Sequence, residues 1–340
     1  MILTLTLNPS LDRTIEVGAL TRGAVIRAAA THLDPGGKGV NVSRALLAND
    51  VRSCAVIPYG GSEGRRLLDL LSAEGIDMIP VPVEGPTRSN VAIAEPDGTV
   101  TKVNEPGTAL TPAELDTLAG AVLDAARSAD WVVASGSLPP GVPVDVYAGL
   151  CRRFAGAGIN LAVDTSGPAL VSAVNAGPAL VKPNRDELAE ATGTSIACVG
   201  DVLDAVGKLR AMGARSVLTS LGADGALLVE DDEQVWYGEC AVEEPRSSVG
   251  AGDALLAGFL AAGARGGTAL AEGLAWAGAA VGLPGSRMPG PADIDRTHVR
   301  IGPPTRPGRS RHPLARRSGA LERDAPSLPI HSPRSLIPGG

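Results

Sequence analysis

The chain has 340 residues, 44% hydrophobic and 20% charged, which is ample for a full hydrophobic core. A net charge of -7 and only 2% aromatic residues argue against general nucleic-acid affinity and against base-stacking surfaces. Cys54, Cys151, Cys198 and Cys240 fit no metal spacing and read as small buried hydrophobes of a reducing, cytoplasmic compartment. No apolar run is long enough to cross a bilayer without polar interruptions, so no membrane span is expected.

In chain order, ILTLTLN (2–8) reads as a first strand and not as a leader peptide. Residues 13–18 and 25–31 read as short extended segments, and GKGVNVSRALLAND (37–50) switches to helical spacing. RSCAVIPYG (52–60) reads as a strand. Residues 62–75 read as a helix capped by Ser62 and stopped by Gly75, and 78–84 as another extended stretch. RSNVAIAEPDGTVTKVN (88–104) alternates around PDG, a hairpin signal. With the early extended pair it predicts a small sheet acting as a lid, from about 13–31 and 88–106.

From residue 111 the rhythm is α/β. Residues 111–126 predict a helix with a Thr111–Glu114 capping box, and 142–158 a second helix. Residues 131–136, 159–164, 179–184 and 216–222 predict buried strands, which implies a parallel sheet with right-handed crossovers. Residues 225–238 predict an antiparallel hairpin, followed by helices at 251–264 and 268–282. The α/β body is expected over 1–302. Residues 303–340 carry a formal charge of +5 with many Pro, Ser and Gly, and predict a disordered tail.

Polar residues interrupt this pattern at strand ends: Asn8, Asp12, Ser135, Ser137, Asp164, Lys182, Asn184 and Ser220, then Asp253. A doubly wound sheet brings such ends to one edge, where ligands bind. DPGGKGVN (34–41) offers close backbone approach and a cation, suited to a phosphate or a sugar hydroxyl, yet it lacks Walker A spacing. A ligand-free tight turn is the alternative. KPNRDELAEATG (182–193) fits either a helix cap by Asn184 and Glu187 or an acidic pair organising Mg2+. SSVGAGDALLAGF (247–259) places N–H groups of 250–252 at a helix start. Asp253 sits in the first turn, either as ordinary stabilisation or as a base beside an anion site.

Taken together, TLNPSLDRTIEV, DPGGKGVNVSRAL, YGGSEGRRLLDLL, TRSNVAI, TKVNEPG, VVASGSLPPGV, LVKPNRDEL, TSLGADGALLV and VGAGDALLAGFLAAG resemble, in order over roughly 1–295, the ribokinase-like sugar kinases of the PfkB carbohydrate-kinase family. The resemblance implies an α/β fold with a central, mostly parallel sheet flanked by helices and a small β-sheet lid. It implies ATP as donor, with Mg2+. It makes Asp253 the base and Gly250, Ala251 and Gly252 the anion hole. It places Asp12, Gly37, Lys38 and Asn41 on the sugar. Arg88, Ser135, Gly136 and Ser137, with Lys38, would contact a phosphate already on the substrate. Lys182, Asn184 and Glu187 would lie near the ATP phosphates and metal, with Glu187 reaching the metal directly or through water. Ser220, Gly222 and Gly225 would line the nucleotide site. The implied reaction is phosphorylation of D-fructose 1-phosphate to D-fructose 1,6-bisphosphate. Fructose 6-phosphate and tagatose 6-phosphate are the alternative acceptors, and a non-catalytic sugar-phosphate-binding regulator is the alternative class. The resemblance is compatible with a homodimer through the lid.

Overall fold

A computed structural model describes residues 1–304; the expected tail from 305 onward lies outside the described residues. The elements run β1 (Ile2–Thr6), β2 (Ser10–Glu16), β3 (Ala30–Gly36), α1 (Lys38–Ala48), β4 (Ser53–Tyr59), α2 (Gly61–Glu74), β5 (Met78–Pro82), β6 (Arg88–Ala94) and β7 (Val100–Asn104). They continue as α3 (Pro112–Ala126), β8 (Trp131–Ser135), α4 (Val146–Ala155), β9 (Asn160–Asp164), α5 (Gly167–Val174), β10 (Leu180–Val181), α6 (Arg185–Thr192) and α7 (Val199–Met212). Last come β11 (Ser216–Ser220), β12 (Ala226–Val229), β13 (Val235–Cys240), α8 (Ala251–Ala261), α9 (Gly266–Val281) and β14 (Val299–Gly302).

Among the described residues, the large sheet has the order β14-β13-β12-β11-β10-β9-β8-β1-β4-β5. It is parallel from β11 to β5 and antiparallel at the β12–β14 edge. The chain builds outward from β1 through β4 and β5, then returns to β8 on the other side. That reversal is a topological switch point, and it opens a crevice beyond the carboxyl ends of β1 and β8. Alternation along β1 sends Leu3 and Leu5 to a core with α3–α7, and Ile2 to a core with α1, α8 and α9. Val40, Ile57, Leu67 and Leu71 seat α2 in a smaller cluster. The α/β architecture expected from the resemblance is the one observed.

A second sheet, β3-β2-β6-β7, is built from two insertions, β2–β3 after β1 and β6–β7 after β5. Its register aligns Asp12 with Asp34 and Asn90, and Asn90 with Asn104, on one face. The hairpin forms at residues 95–99 as the alternation predicts. The second extended segment is displaced, however. The strand lies at Ala30–Gly36 and not at 25–31, because it pairs antiparallel with β2 until Gly36 meets Ser10.

Other local expectations divide in the same way. Thr111 and Glu114 form a reciprocal capping box, and Gly75 ends α2 in the left-handed region. Ser62 is not a cap: Gly60 precedes the helix, and the Ser62 hydroxyl donates to Glu63 instead. The helix expected over 142–158 is confined to Val146–Ala155. The strand expected over 179–184 is continuous only at Leu180–Val181, since Pro183 has no N–H for a ladder; pairing resumes as a single parallel bridge from Asn184 to Ser220.

Candidate active site

Gly250 caps α8 with φ of 77°, and a Cβ there would lie 2.7 Å from Met288 Cε. The dihedral is what requires glycine, since the Met288 methyl could move aside. The first turn of α8 has no earlier helical carbonyls to receive its N–H groups, so they face the crevice with the positive end of the helix dipole. Ala251 N–H leans only on Ser248 O at 3.4 Å. Gly252 lies against a lysine: a Cβ there would be 3.3 Å from Lys182 Nζ. The expected anion hole over 250–252 therefore carries a cation at its rim.

Asp253 is buried in the first turn of α8, and its Oδ2 accepts from Asn41 Nδ2 at 2.9 Å. Burial pushes its carboxyl up to about 7, and the charge of Asp164 pushes the same way; Lys38, Lys182 and the Asn41 bond oppose them. A carboxyl held there is proton-loaded or proton-free around neutral pH, as a base needs.

The centre of the site is Asp164, fully buried at the end of β9. Lys38 Nζ lies 2.7 Å from its Oδ1 and Lys182 Nζ lies 2.8 Å from its Oδ2. Lys38 also reaches Glu187 Oε1 at 3.3 Å. Two ammonium groups thus share one carboxylate beside the α8 N-terminus. The structure joins Lys38 to Lys182 through Asp164; Arg88 belongs to neither ion pair. Sequence reading marked Asp164 as a strand-end polar residue and assigned it nothing.

Asn184 and Glu187 are a helix cap in full. Asn184 Oδ1 accepts from the N–H groups of Asp186 and Glu187, and Glu187 Oε2 accepts from Asn184 N–H. Glu187 keeps its other oxygen toward Lys38, so the cap also presents an acidic oxygen to the crevice. Asn184 bridges to Ser220, whose chain continues into a 3-10 turn over Gly222–Asp224, closed by Leu221 N–H to Gly225 O at 2.8 Å. Lys182, Asn184, Glu187, Ser220, Gly222 and Gly225 therefore flank one stretch of sheet edge. Among the described residues, no group of three metal-ligating side chains forms a closed cage. The carboxylate of Glu187 suits Mg2+, which keeps waters and shares itself with phosphates.

The lid supplies the opposite wall. Asp12 Oδ1 accepts from Ser10 Oγ at 2.7 Å and from Asn90 Nδ2 at 2.9 Å. Gly36 must be glycine, since a Cβ would lie 2.5 Å from Asp12 Cγ. Gly37 caps α1 and delivers Lys38 and Asn41 from the first turn of that helix. Arg88 donates from Nη1 to Glu105 O at 3.0 Å and from Nη2 to Asn8 O at 3.1 Å. Ser135 ends β8, Gly136 N–H donates to Asp164 O at 2.9 Å, and Ser137 Oγ accepts from Asn8 Nδ2 at 3.2 Å. Thr6 Oγ1, Asn41 Oδ1, Arg88 Nε, Asn90 Oδ1 and Ser135 Oγ are buried without a hydrogen-bond partner. Buried orphan groups are rare, and this set surrounds the crevice, as a hydroxyl-rich ligand would require. Sequence reading missed Asn90; its pairing with Asp12 across β2 and β6 is the missing signal.

The model of the pfkB family carbohydrate kinases matches residues 5–292. A 1-phosphofructokinase of Haloferax volcanii is 38% identical over 307 residues, covering 88% of this chain and 98% of that protein. An ATP-dependent 6-phosphofructokinase isozyme 2 of Mycobacterium tuberculosis is 34% identical, covering 92% and 94%. The crystal structure of phosphofructokinase-2 from Escherichia coli in complex with potassium superposes with a TM-score of 0.81 at 32% identity, covering 86% of this chain and 96% of that one. The match spans both walls of the crevice, from β1 through α8, and on that ground the chain belongs to the pfkB family of carbohydrate kinases.

Proposed function

We propose that the protein transfers the γ-phosphoryl group of ATP to D-fructose 1-phosphate, giving D-fructose 1,6-bisphosphate and ADP. The observation that carries this reading is buried Asp253, held by Asn41 beside the open first turn of α8 and the Lys38–Asp164–Lys182 cluster. Asp253 takes the proton of the acceptor hydroxyl as the oxygen–phosphorus bond forms and the β,γ-bridging bond breaks. The N–H groups at 250–252 and the two lysines receive the charge of the transferring group. Asp12, Asn41 and Asn90 orient the sugar. Arg88 and Ser137 take its existing phosphate, for which a guanidinium is well shaped. Mg2+ bound with ATP neutralises phosphate charge, and Glu187 is the residue that would hold it, directly or through water.

The nearly isosteric ketohexose phosphates are distinguished by an ADP-release assay. D-fructose 1-phosphate should exceed fructose 6-phosphate and tagatose 6-phosphate in kcat/KM by about tenfold or more, as expected when a buried group reads a hydroxyl. Free fructose and ribose should be poor substrates. Equal or higher kcat/KM on either alternative phosphate overturns the fructose 1-phosphate assignment.

The lid also supports a homodimer. Leu33, Val91 and Val103 share a row with exposed Arg13 on the face away from Asp12, and Ile15 and Ile93 pair in the next row of that face, which is apolar apart from Arg13 and its flanking threonines. Val103 is 60% exposed. An apolar face of this kind is satisfied by a second copy. The chain should sediment as a dimer, and V91E/V103E as a monomer; a wild-type monomer at micromolar concentration refutes the arrangement. Among the described residues no helix is long and apolar enough to cross a membrane. All four cysteines are free, the state a reducing, cytoplasmic compartment would maintain.

A further inference from the structure

The lid joins the body where the chain leaves β1, enters α1, enters β6 and leaves β7. Asn8 stands at the first of these joints and is buried. A primary amide has two N–H donors. Asn8 directs them at Pro106 O, 3.1 Å away just past β7, and at Ser137 Oγ, 3.2 Å away just past β8. The backbone carbonyl of Asn8 receives Arg88 Nη2 from the start of β6. Arg88 Nη1 then closes the ring on Glu105 O, and Glu105 Oε2 receives Ser89 N–H at 2.8 Å. Gly107 packs against the same amide: a Cβ there would lie 3.0 Å from Asn8 Cγ.

One residue thus ties three lid joints to the loop after the switch-point strand: its side-chain amide holds Pro106 and Ser137, and its backbone carbonyl holds Arg88. The guanidinium it helps to hold is bound only by neutral carbonyls. Arg88 forms no ion pair among the described residues, and its Nε is buried without a partner. A cation fixed this way keeps its charge for an anion. We propose that Asn8 is a positioning residue: it sets Arg88 and Ser137 at a fixed spacing for the phosphate already on the sugar, and couples that spacing to the posture of the lid. The inference rests on the sugar-phosphate kinase reading for its substrate, and on the hydrogen-bond ring alone for its geometry.

Two variants test it. Asn8→Ala removes both donors. Asn8→Asp keeps the volume against Gly107 but turns the donors into acceptors facing a carbonyl, so it stands in if the alanine variant fails to fold. Losing two hydrogen bonds should raise KM for the sugar phosphate by about tenfold or more. KM for ATP should change less than about twofold, and kcat less than about threefold, because nothing at Asp253 is touched. S137A combined with N8A should cost little more than N8A alone, since the two act through one bond. Hydrogen exchange of the amides at 136–138 and 104–108 should accelerate by about tenfold or more in either variant. Unchanged KM for the sugar phosphate, equal rises in both KM values, additive effects in the double variant, or unchanged exchange in the 136–138 loop would each overturn the proposal. Absence of wild-type turnover on every ketohexose phosphate would sink the kinase reading, and the exchange measurement would still decide the role of Asn8.

Discussion

Asp253→Asn is expected to fold, to bind both substrates, and to lose about 10³-fold in kcat, the middle of the range for removing a positioned base. Asparagine retains an oxygen for the Asn41 Nδ2 donor, so the local bond survives. The pH dependence gives a sharper signature. Burial first, then Asp164, raises the Asp253 carboxyl to about 7, against Lys38, Lys182 and Asn41. Wild-type kcat/KM should therefore climb with unit slope as pH rises toward 7 and level off above it, and the residual activity of the variant should lack that limb. Stability runs the other way. The folded protein holds this proton up to about pH 7, whereas the unfolded chain releases it near 3.8. Between those values the folded state binds more protons, so the contribution of Asp253 becomes less favourable as pH rises. Above pH 7 the buried charge is present in full, and D253N should melt several degrees higher than wild type; toward pH 4 the difference should vanish. A folded D253N with near-normal turnover, or with an unchanged acid limb, would remove Asp253 as the base.

What made the fold legible was local. Thr111–Glu114, Asn184–Glu187 and Gly75 declare helix ends by chemistry that acts over three or four residues, and the PDG turn declares a hairpin. Where a boundary depended on a distant partner, sequence misplaced it. β3 is positioned by its register with β2, and the two-residue β10 by a proline that interrupts the ladder. The site divides in the same way. Glycines and the first-turn Asp253 announce an anion site because helix starts are local objects. The link between Asp164 and two lysines joins residues 126 positions apart in one case, and nothing at LAVDTSG or GGKG signals it. Lys38 illustrates the cost: sequence grouped it with Arg88 as a second-phosphate ligand, while folding places it against Asp164 and Glu187. Asn8 stands out in the sequence as a strand-end polar residue but without a role, and Asn90 escapes altogether, since an asparagine's meaning here is set by which strand lies beside it.

Asp164→Asn should be the most damaging change that substitutes no substrate-contacting side chain. Burial alone would raise this carboxyl, yet Lys182 and then Lys38 outweigh it and hold it below the usual range. Its charge is what allows two ammonium groups to sit side by side at the rim of the α8 N-terminus. Neutralising it leaves Lys182, which is 4% exposed, buried with no carboxylate at its ammonium, and sets the two cations against each other. Breaking one partner of a buried pair costs about 3–5 kcal/mol. The loss should be visible as a lowered Tm at neutral pH. A depressed carboxyl contributes stability above its unfolded value of 3.8, and loses it as pH falls through the lower folded value. The gap between wild type and D164N should therefore be full at pH 7 and close at strongly acid pH, opposite in sense to the gap for D253N. Catalytically, displaced lysines should raise KM for ATP and cut kcat by about 10²-fold or more, as for loss of preorganised charge at a developing anion. KM for the sugar phosphate should move little, because Arg88, Ser137 and Asp12 are untouched. Removing the Asp164 charge also removes the second force raising Asp253, so the acid limb of the residual activity should shift below pH 7. That displaced limb separates an electrostatic role from simple destabilisation: a D164N protein that melts early but keeps its limb near 7 and its KM for ATP would reduce Asp164 to a structural anchor.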